Sequence, residues 1–216
     1  MAEFSKAARD TLPEVSALDD ADAALLAWVE REVLMFKRLE RLIISPRLKE
    51  GFVANGEADV EGFMEVSLQI QNRRKARAGG SLENHLELIF KQRNILVGRG
   101  CVTEMKNKPD FILPGCAQYH DPNFPETCLS MLAAKATLKE RWRQVLAEAN
   151  RIAEKHLLTL SPGISLNQTA QMQSEKLQLV VPKGLHQTYQ PSQQSWLLSL
   201  NDFCGLMAKR QKDAGL

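Results

Sequence analysis

The sequence predicts an α/β fold in which helices cover a central mixed β-sheet, preceded by an N-terminal helical segment. Two observations lead to this prediction. Apolar residues recur at helical spacing through the first part of the chain, and short apolar runs of strand length alternate with amphipathic stretches after about residue 95. We therefore expect residues 1–70 to form a helical segment packed on a core of residues 71–216, all within a single structural domain.

The N-terminal part should be helical apart from one loop. Pro46 is expected to end the first helix, since the residue before a proline avoids the α region. Gly79-Gly80 is expected to break the chain before a helix capped by Ser81. The predicted elements are a helix from about Asp19 to Ser45, a loop over Gly51–Glu57, a helix over Asp59–Gln71, and a helix from Ser81 to about Arg93.

The remaining part should supply the sheet and its covering helices. Runs of β-favouring residues bounded by glycine or proline predict strands, and the amphipathic stretches between them predict helices. The expected strands are Ile95–Thr103, Phe111–Leu113, Cys128–Ala136, His156–Leu160 and Leu177–Val181, and the expected helices are Leu138–Glu154, Leu166–Gln173 and Gln193–Arg210.

The charge of the chain is nearly balanced overall but unevenly distributed. The formal net charge is +2, yet residues 1–70 hold 14 acidic and 8 basic residues, whereas residues 71–216 hold 12 and 20. Basic residues cluster in Asn72–Ala78 and in Lys135–Arg151. Clustered positive charge suits a face that binds a polyanion. Solvated helix faces are the alternative, and charge alone favours them.

Composition excludes several other classes. No apolar stretch reaches the length of about 18 residues that a membrane span needs, and the acidic N-terminus is not typical of a signal peptide. The four cysteines show no CxxC spacing, so we expect free thiols in a reducing cytoplasm. The histidines are scattered as well, and no zinc site is expected.

A carboxylate and a lysine are predicted to meet at one edge of the sheet. Pro109-Asp110 opens a short strand, and Lys135 lies near the end of the next buried strand. Asp110 would bind Mg²⁺, which accepts few protein carboxylates and lowers the pKa of its bound water. Lys135 would orient the attacking water and stabilise the pentavalent anion of phosphodiester hydrolysis. A Pro-Asp turn and a lysine at an exposed strand end are the alternative.

A second carboxylate is needed at such a site. The usual motif for such a carboxylate–lysine site has Asp or Glu two residues before the lysine, but that position is Ala133 here. Glu148 follows Lys135 on the next expected helix, where positions 137, 141, 144 and 148 share one face. We therefore expect Glu148 to reach back to the metal alongside Asp110. Glu83, on the helix after the double glycine, is a further candidate.

The start of that helix has residues suited to reading bases. Arginine binds guanine O6 and N7 through two hydrogen bonds, and a carboxylate accepts from cytosine N4. Glu140 and Arg141 are therefore candidates for reading neighbouring G·C pairs in the major groove. On this pattern alone, a salt-bridged surface helix with Trp142 in the core is the favoured alternative.

Several segments of the chain together resemble the catalytic domain of EcoRII-type restriction endonucleases, which belong to the PD-(D/E)xK superfamily. The likeness is strongest in Met131–Leu146 and runs in order from roughly residue 20 to 205. The other matching segments are Gln71–Glu87, Lys108–Pro114, Gln118–Pro125, His156–Leu160, Gly163–Leu166 and Leu179–Pro182.

The resemblance implies a restriction-endonuclease-like fold and a type II endonuclease that uses Mg²⁺. The enzyme would cut double-stranded DNA at CCWGG, or at a CCNGG- or CCGG-like site. The resemblance also implies that Asp110, Lys135 and the displaced Glu148 form the metal and catalytic site, with Glu83 as a companion.

The same resemblance implies roles in DNA binding. Base recognition is assigned to Glu140 and Arg141, with Lys139 and Arg143 as further readers. Similar enzymes flip the central base pair out of the duplex, and the N-terminal helix offers Arg31, Phe36 and Arg38 as candidates for the receiving pocket. The backbone clamp comprises Arg73, Arg74, Lys75 and Arg77.

Three further functional hypotheses stay open beside this one. They are a structure-specific PD-(D/E)xK repair nuclease, a DNA-binding module with an inactive centre, and a helical interaction protein unrelated to DNA. The acidic residues 1–70, expected to contact DNA or a second subunit, are too short for the family's N-terminal effector domain. We therefore expect a free-standing catalytic protein or an isolated domain. Related architectures imply a homodimer on a palindromic site, with a strand-nicking monomer as the alternative.

Overall fold

The computed structural model describes residues 2–138 and 141–216, and it confirms the α/β class with a mixed sheet between helices. The helices are α1 (Ala2–Asp10), α2 (Ala21–Glu50), α3 (Val60–Gln92), α4 (Cys116–His120), α5 (Trp142–Val145), α6 (Leu166–Ser174), α7 (Pro191–Gln194) and α8 (Leu200–Asp213). The strands are β1 (Val53–Ala54), β2 (Glu57–Ala58), β3 (Gly98–Arg99), β4 (Phe111–Leu113), β5 (Ser130–Lys135), β6 (Lys155–Thr159) and β7 (Leu177–Val180).

The central sheet has the strand order β3-β4-β5-β6-β7. Strands β3, β4 and β5 are antiparallel neighbours, whereas β5, β6 and β7 run parallel. Phe111 at the start of β4 pairs with Leu132, the third of the six residues of β5. This register brings the residue before β4 and the last residue of β5 to the same edge of the sheet.

Apolar side chains cover both faces of the sheet. Leu132 and Ala134 of β5 contact a core built from α2, α3 and α8. Met131 and Ala133 face the opposite core, which includes Trp142 of α5. This alternation follows from the two-residue period of a strand. Ala133 is fully buried, so its position in the usual nuclease motif is used here for packing.

The long helices α2 and α3 correct two predictions. The first helix does not end at Pro46, because α2 continues to Glu50 and is closed by Gly51 in a left-handed conformation. Gly79-Gly80 does not break the chain, because α3 runs through both residues. A glycine costs a helix about 1 kcal/mol relative to alanine, and the buried apolar side chains that follow on α3 outweigh this cost. The helix also passes without interruption through the expected boundary at residue 70.

Other boundaries also differ from the prediction. Gly51–Glu57 is not all loop, since β1 and β2 form a hairpin there, and the strand expected over Ile95–Thr103 is reduced to β3. The helix expected over Leu138–Glu154 is wrong: α5 is one turn long and ends at Val145, and Ala149 beyond it has a φ of +50°, which a continuous helix does not allow.

The last expected helix is divided. Gln193–Arg210 contains the end of α7 and most of α8 but not a continuous helix. Leu198 lies between them in an extended bridge, where its N–H donates to Leu179 O and its carbonyl accepts from Val181 N. Ser199 then caps α8 by accepting from the Asp202 N–H.

The prediction of four free thiols is wrong for one pair. Cys101 and Cys116 form a disulfide between the segment after β3 and the start of α4, whereas Cys128 and Cys204 are free. Proximity in the fold, which the spacing of cysteines does not record, decided this pairing. None of the described helices is long and apolar enough to cross a membrane.

Candidate active site

Asp110 and Lys135 meet at the sheet edge, as predicted. Asp110 Oδ2 accepts from the Lys135 amine at 2.7 Å and from the backbone N–H of Ala134, also at 2.7 Å. The antiparallel pairing of β4 with β5 produces this contact, because Asp110 directly precedes β4 and Lys135 ends β5. Both side chains remain partly exposed, so the pair is accessible to a ligand.

Glu148 lies near this pair, although it is not on a helix. It follows α5 in a turn and is half-buried. Burial raises the pKa of Glu148 above its ordinary value, Lys135 and Lys155 oppose this rise, and Asp110 adds to it. The side chain therefore lies within the electrostatic range of both members of the pair.

The Glu148 carboxylate has an unsatisfied atom. Its Oε2 is buried and has no hydrogen-bond partner among the residues described. An ionised oxygen buried without a partner is unfavourable unless a cation binds it. No group of three or more His, Cys, Asp and Glu side chains suited to a metal occurs in 2–138 and 141–216. Mg²⁺ often takes one or two protein carboxylates and fills its shell with water and phosphate, so Asp110 and Glu148 fit this ion.

A cleft opens beside Lys135. It has a volume of about 620 Å³ and is bordered by α3 on one side and by the end of β5 on the other. The lining residues are Arg74, Lys75, Ala78, Gly79, Glu83, Ala134, Lys135, Ala136, Thr137 and Arg141. Since five of these ten residues carry basic or acidic side chains and four of the five are basic, the cleft suits a polyanion.

Glu83 lies between this cleft and Asp110. It also lines an adjoining cavity of about 370 Å³ that includes Asp110. Its carboxylate accepts from Arg99 at 2.7 Å, and the same guanidinium binds Glu87 at 2.6 Å. Glu83 is thus close to the site but paired with a cation in this structure. Arg99 was not among the residues predicted from the sequence, where its position between Gly98 and Gly100 is the one local signal.

The basic cluster on α3 is divided among different environments. Lys75 and Arg74 line the cleft, and Arg74 also forms a bidentate pair with Glu40 at 2.7–3.0 Å. Arg73 borders a narrow groove between α2 and α3. The Arg77 side chain is only 11% exposed and lies 3.8 Å from Glu32. In this conformation Arg77 faces the helical bundle rather than solvent.

The stretch proposed to read bases is only partly described. Lys139 and Glu140 lie outside the described residues. Arg141 borders the cleft, and its guanidinium donates to the Thr137 carbonyl at 3.2 Å. Arg143 instead lies over the Trp142 ring and donates to Gln171 on α6 at 3.1 Å.

The three candidates for a base-flip pocket do not share a cavity in the described structure. Arg31 donates to Thr11 at 2.7 Å. Phe36 contacts the narrow α2–α3 groove, and the Arg77 guanidinium lies 4.9 Å from its ring centroid. Arg38 lines a separate surface depression on α2. Residues two positions apart lie on different sides of a helix, which separates Phe36 from Arg38.

The family model described as EcoRII C terminal matches residues 36–204, a range that contains the Asp110–Lys135 pair, Glu148 and the cleft. The chain belongs to the EcoRII C-terminal family. The resemblance found in the sequence is thereby confirmed.

Two relatives of this chain are type II restriction enzymes. It is 39% identical to EcoRII of Escherichia coli over 185 residues, which are 85% of this chain and 45% of that enzyme. It is 35% identical to SsoII of Shigella sonnei over 111 residues, which are 47% of this chain and 35% of that enzyme. The chain therefore spans less than half the length of either relative.

Solved structures of restriction endonucleases share the fold. A metal-depleted Ecl18kI in complex with uncleaved, modified DNA has a TM-score of 0.80 and 20% identity to this protein. The match covers 98% of this protein and 78% of the Ecl18kI chain. A complex of PspGI with substrate DNA matches 98% and 92%, with a TM-score of 0.77 and 13% identity. The predicted restriction-endonuclease-like architecture is confirmed.

Proposed function

We propose that this chain is the catalytic part of a metal-dependent type II restriction endonuclease. Its substrate would be double-stranded DNA carrying a short G/C-rich site, CCWGG or a CCNGG- or CCGG-like variant. The observation that carries the proposal is the Asp110–Lys135 pair, with the unsatisfied Glu148 oxygen near it and a basic cleft beside it. Membership of a family with type II restriction enzymes among its relatives supports it.

Each member of the site would have a separate task in hydrolysis. The Ala134 N–H donates to Asp110, and Asp110 in turn holds the Lys135 amine in place. An ammonium group has three N–H donors, so Lys135 retains two for the attacking water and a phosphate oxygen. Mg²⁺ held by Asp110 and Glu148 would supply Lewis acidity, which lowers the pKa of bound water and neutralises phosphate charge.

DNA contacts would come from the two borders of the cleft. We assign phosphate contacts to Arg73, Arg74 and Lys75. Contacts to phosphate do not distinguish one base sequence from another. Arg141 would read guanine from the opposite border. Lys139, Glu140 and Arg143 are proposed as further readers on the resemblance alone. Arg77 would contact phosphate after its guanidinium leaves Glu32 and turns towards the DNA.

We propose that the central base flips out on binding. Of Arg31, Phe36 and Arg38, only Phe36 has an aromatic ring on which a base can stack, and an entering base would replace the Arg77 guanidinium on that ring. 2-Aminopurine at the central position should gain fluorescence on binding, and Phe36→Ala should remove part of that gain. An unchanged signal with the intact protein would contradict flipping.

We propose a homodimer acting on the two halves of a palindromic site in the cytoplasm, where the DNA is. Support comes from apolar side chains left exposed on the outer parts of α2 and α3, among them Leu42 at 69% and Met64 at 60%. Exposed apolar patches commonly mark interfaces between proteins. Sedimentation with a palindromic duplex should give two chains per duplex. One chain per duplex, with a nicked intermediate during cleavage, would support the monomer.

The central experiment is digestion of plasmid DNA with Mg²⁺. The protein should produce discrete fragments whose ends all map to one short sequence. Asp110→Asn and Lys135→Met should each abolish cleavage while retaining DNA binding in the absence of metal. Lys212→Met and Asp213→Asn, at the exposed end of α8, are matched controls that should cut normally.

The same digestion distinguishes the competing hypotheses. A smear without fixed ends would favour a nuclease that reads DNA structure. Metal-independent DNA binding with no cleavage over hours would indicate an inactive binding module. If the protein neither bound nor cleaved DNA, a role on DNA would be rejected altogether.

A further inference from the structure

The backbone around Glu148 has a conformation that local sequence does not favour. Glu148 follows the single turn of α5, and the next residue, Ala149, has a φ of +50° and a fully buried side chain. Positive φ is uncommon for a residue with a Cβ and persists where surrounding contacts determine it. Contacts from elsewhere in the fold must therefore hold the backbone around Glu148 in this conformation.

Three hydrogen bonds supply these contacts, and all come from the segment Thr103–Asn107. The Asn107 side-chain amide donates to the Ala147 carbonyl at 2.8 Å. The Ala149 N–H donates to Thr103 Oγ1 at 3.4 Å, and the Asn150 N–H donates to Glu104 Oε2 at 3.1 Å. Glu148 is thus bracketed by bonded residues on both sides.

The bracketing segment is itself fixed. The Thr103 N–H donates to the Asn107 carbonyl at 2.9 Å, and the Asn107 N–H donates to the Glu104 carbonyl at 3.1 Å. The Tyr119 hydroxyl donates to the Glu104 carboxylate at 2.7 Å. Because these bonds hold the turn in one conformation, the residues that are hydrogen-bonded to it are also held in place.

The same segment leads directly to the other carboxylate. Asn107 is followed by Lys108, Pro109 and then Asp110. Only two residues therefore lie between Asn107 and Asp110, and they connect the turn that holds Glu148 to the residue that holds Lys135. The separation of the two carboxylates depends on this short connection.

We propose that Thr103, Glu104 and Asn107 form a clasp that positions Glu148 relative to Asp110 for binding a divalent cation. These are positioning residues, since they act through Glu148 and touch no reacting atom. The proposal rests on the function proposed above. It predicts that loosening the clasp impairs metal binding while leaving DNA binding intact, because the clasp lies outside the residues that line the cleft.

The test compares Asn107 variants with the intact chain on a DNA duplex that carries the site. Partners behind metal ligands typically contribute about 10–100-fold to metal affinity or activity. Asn107→Ala should therefore raise the Mg²⁺ concentration for half-maximal cleavage about 10-fold or more. Asn107→Asp should raise it further, because a carboxylate facing the Ala147 carbonyl repels it. Affinity for DNA without metal should stay within about twofold, well below that metal effect.

Binding of Mn²⁺ to the protein–DNA complex, followed by electron paramagnetic resonance, provides a readout independent of cleavage. The dissociation constant for Mn²⁺ should rise in the same order as the Mg²⁺ requirement. Thr103→Val removes one acceptor with little change of shape, so it tests the clasp if the Asn107 variants do not fold. It should give a smaller rise in both measurements.

Gln178→Ala is the matched control. Its side-chain amide donates to the Trp196 carbonyl at 2.7 Å, so the variant loses the same kind of bond at the far edge of the sheet. The control should melt at a lower temperature without changing the Mn²⁺ affinity. Equal Mn²⁺ affinity in the intact chain, Asn107→Ala and Thr103→Val would overturn the clasp. An intact chain that never cleaves DNA with any divalent metal would instead overturn the proposed function.

Discussion

At the residue scale, the Arg74–Glu40 ion pair engages a guanidinium that the proposed function assigns to DNA phosphate. The guanidinium makes three hydrogen bonds to the carboxylate, and these bonds hold the pKa of Glu40 below its ordinary value against the opposing effect of burial. A phosphate that approaches Arg74 must compete with Glu40. The carboxylate also adds negative charge next to the path proposed for DNA.

Replacing this carboxylate should therefore tighten DNA binding. Exposed ion pairs contribute about 0–1 kcal/mol, so Glu40→Gln should raise affinity for any duplex up to about fivefold. Arg74→Ala should weaken all duplexes alike and reduce the slope of log K against log salt by about 1. Fluorescence anisotropy across a salt series measures both effects. Weaker binding by Glu40→Gln would show that the pair positions Arg74 rather than competing for it.

Arg141 should behave differently from Arg74. If it reads guanine, Arg141→Ala should lose about 1–3 kcal/mol of discrimination at one base pair and leave the others unchanged. Competition binding with duplexes that differ at single positions measures this loss. A uniform loss over all duplexes would place Arg141 among the phosphate contacts.

At the scale of elements, α3 connects the N-terminal helical segment to the part of the chain that contains the central sheet. It is continuous from Val60 to Gln92 despite Gly79 and Gly80. Apart from the adjoining backbone of the helix itself, neither glycine has a heavy atom within 4 Å of the place where a Cβ would lie. Their presence is thus not required by packing within the described chain, and they weaken the helix.

Alanine at the second glycine should stabilise the protein. Gly80→Ala removes backbone freedom from the unfolded chain, so the free energy of unfolding should rise by about 0.5–1 kcal/mol. Gly56→Ala is a suitable comparison, because that site is equally open but has a φ of +84°, which alanine rarely adopts. Urea denaturation should show a gain for the first and a loss for the second. A loss for Gly80→Ala would mean that α3 is strained at this point.

At the scale of the whole molecule, a buried histidine should couple stability to pH. His156 on β6 is 1% exposed, and burial lowers its pKa to about 4, with a further small effect of Arg210 and an opposing effect of Glu154. A depressed folded-state pKa means that the unfolded chain binds protons first. Its contribution to stability is therefore complete above about pH 6.5 and is lost as pH falls towards 4.

This contribution can be isolated by a variant that does not titrate. Between pH 7 and pH 4 the intact chain should lose about 3 kcal/mol more stability than His156→Leu. Other titrating groups are common to both proteins, so they cancel in the difference. Denaturant unfolding at a series of pH values measures it. Parallel curves would show that His156 is protonated in the folded state or accessible to water.

The class of fold and half of the candidate site could be predicted because the relevant information is local. The two-residue period of β5 and the Pro109-Asp110 start of β4 placed Asp110 and Lys135 at adjacent strand ends. Helix ends were less predictable. Pro46 and Gly79 are unfavourable within a few residues of chain, yet α2 and α3 both continue, and in α3 the buried side chains after the glycines outweigh the cost.

The sequence by itself determined the fold class, the chain order of the five central strands, the meeting of Asp110 with Lys135, and the family. The tertiary structure alone decided that Glu148 reaches the site from a turn, that Arg77 is directed to Glu32, and that two cysteines are bonded. The physical reason is the range of the interactions. Periodicity reports contacts between near neighbours in the chain, whereas a charged or unsatisfied side chain selects partners from whichever distant segments the fold brings within a few ångströms.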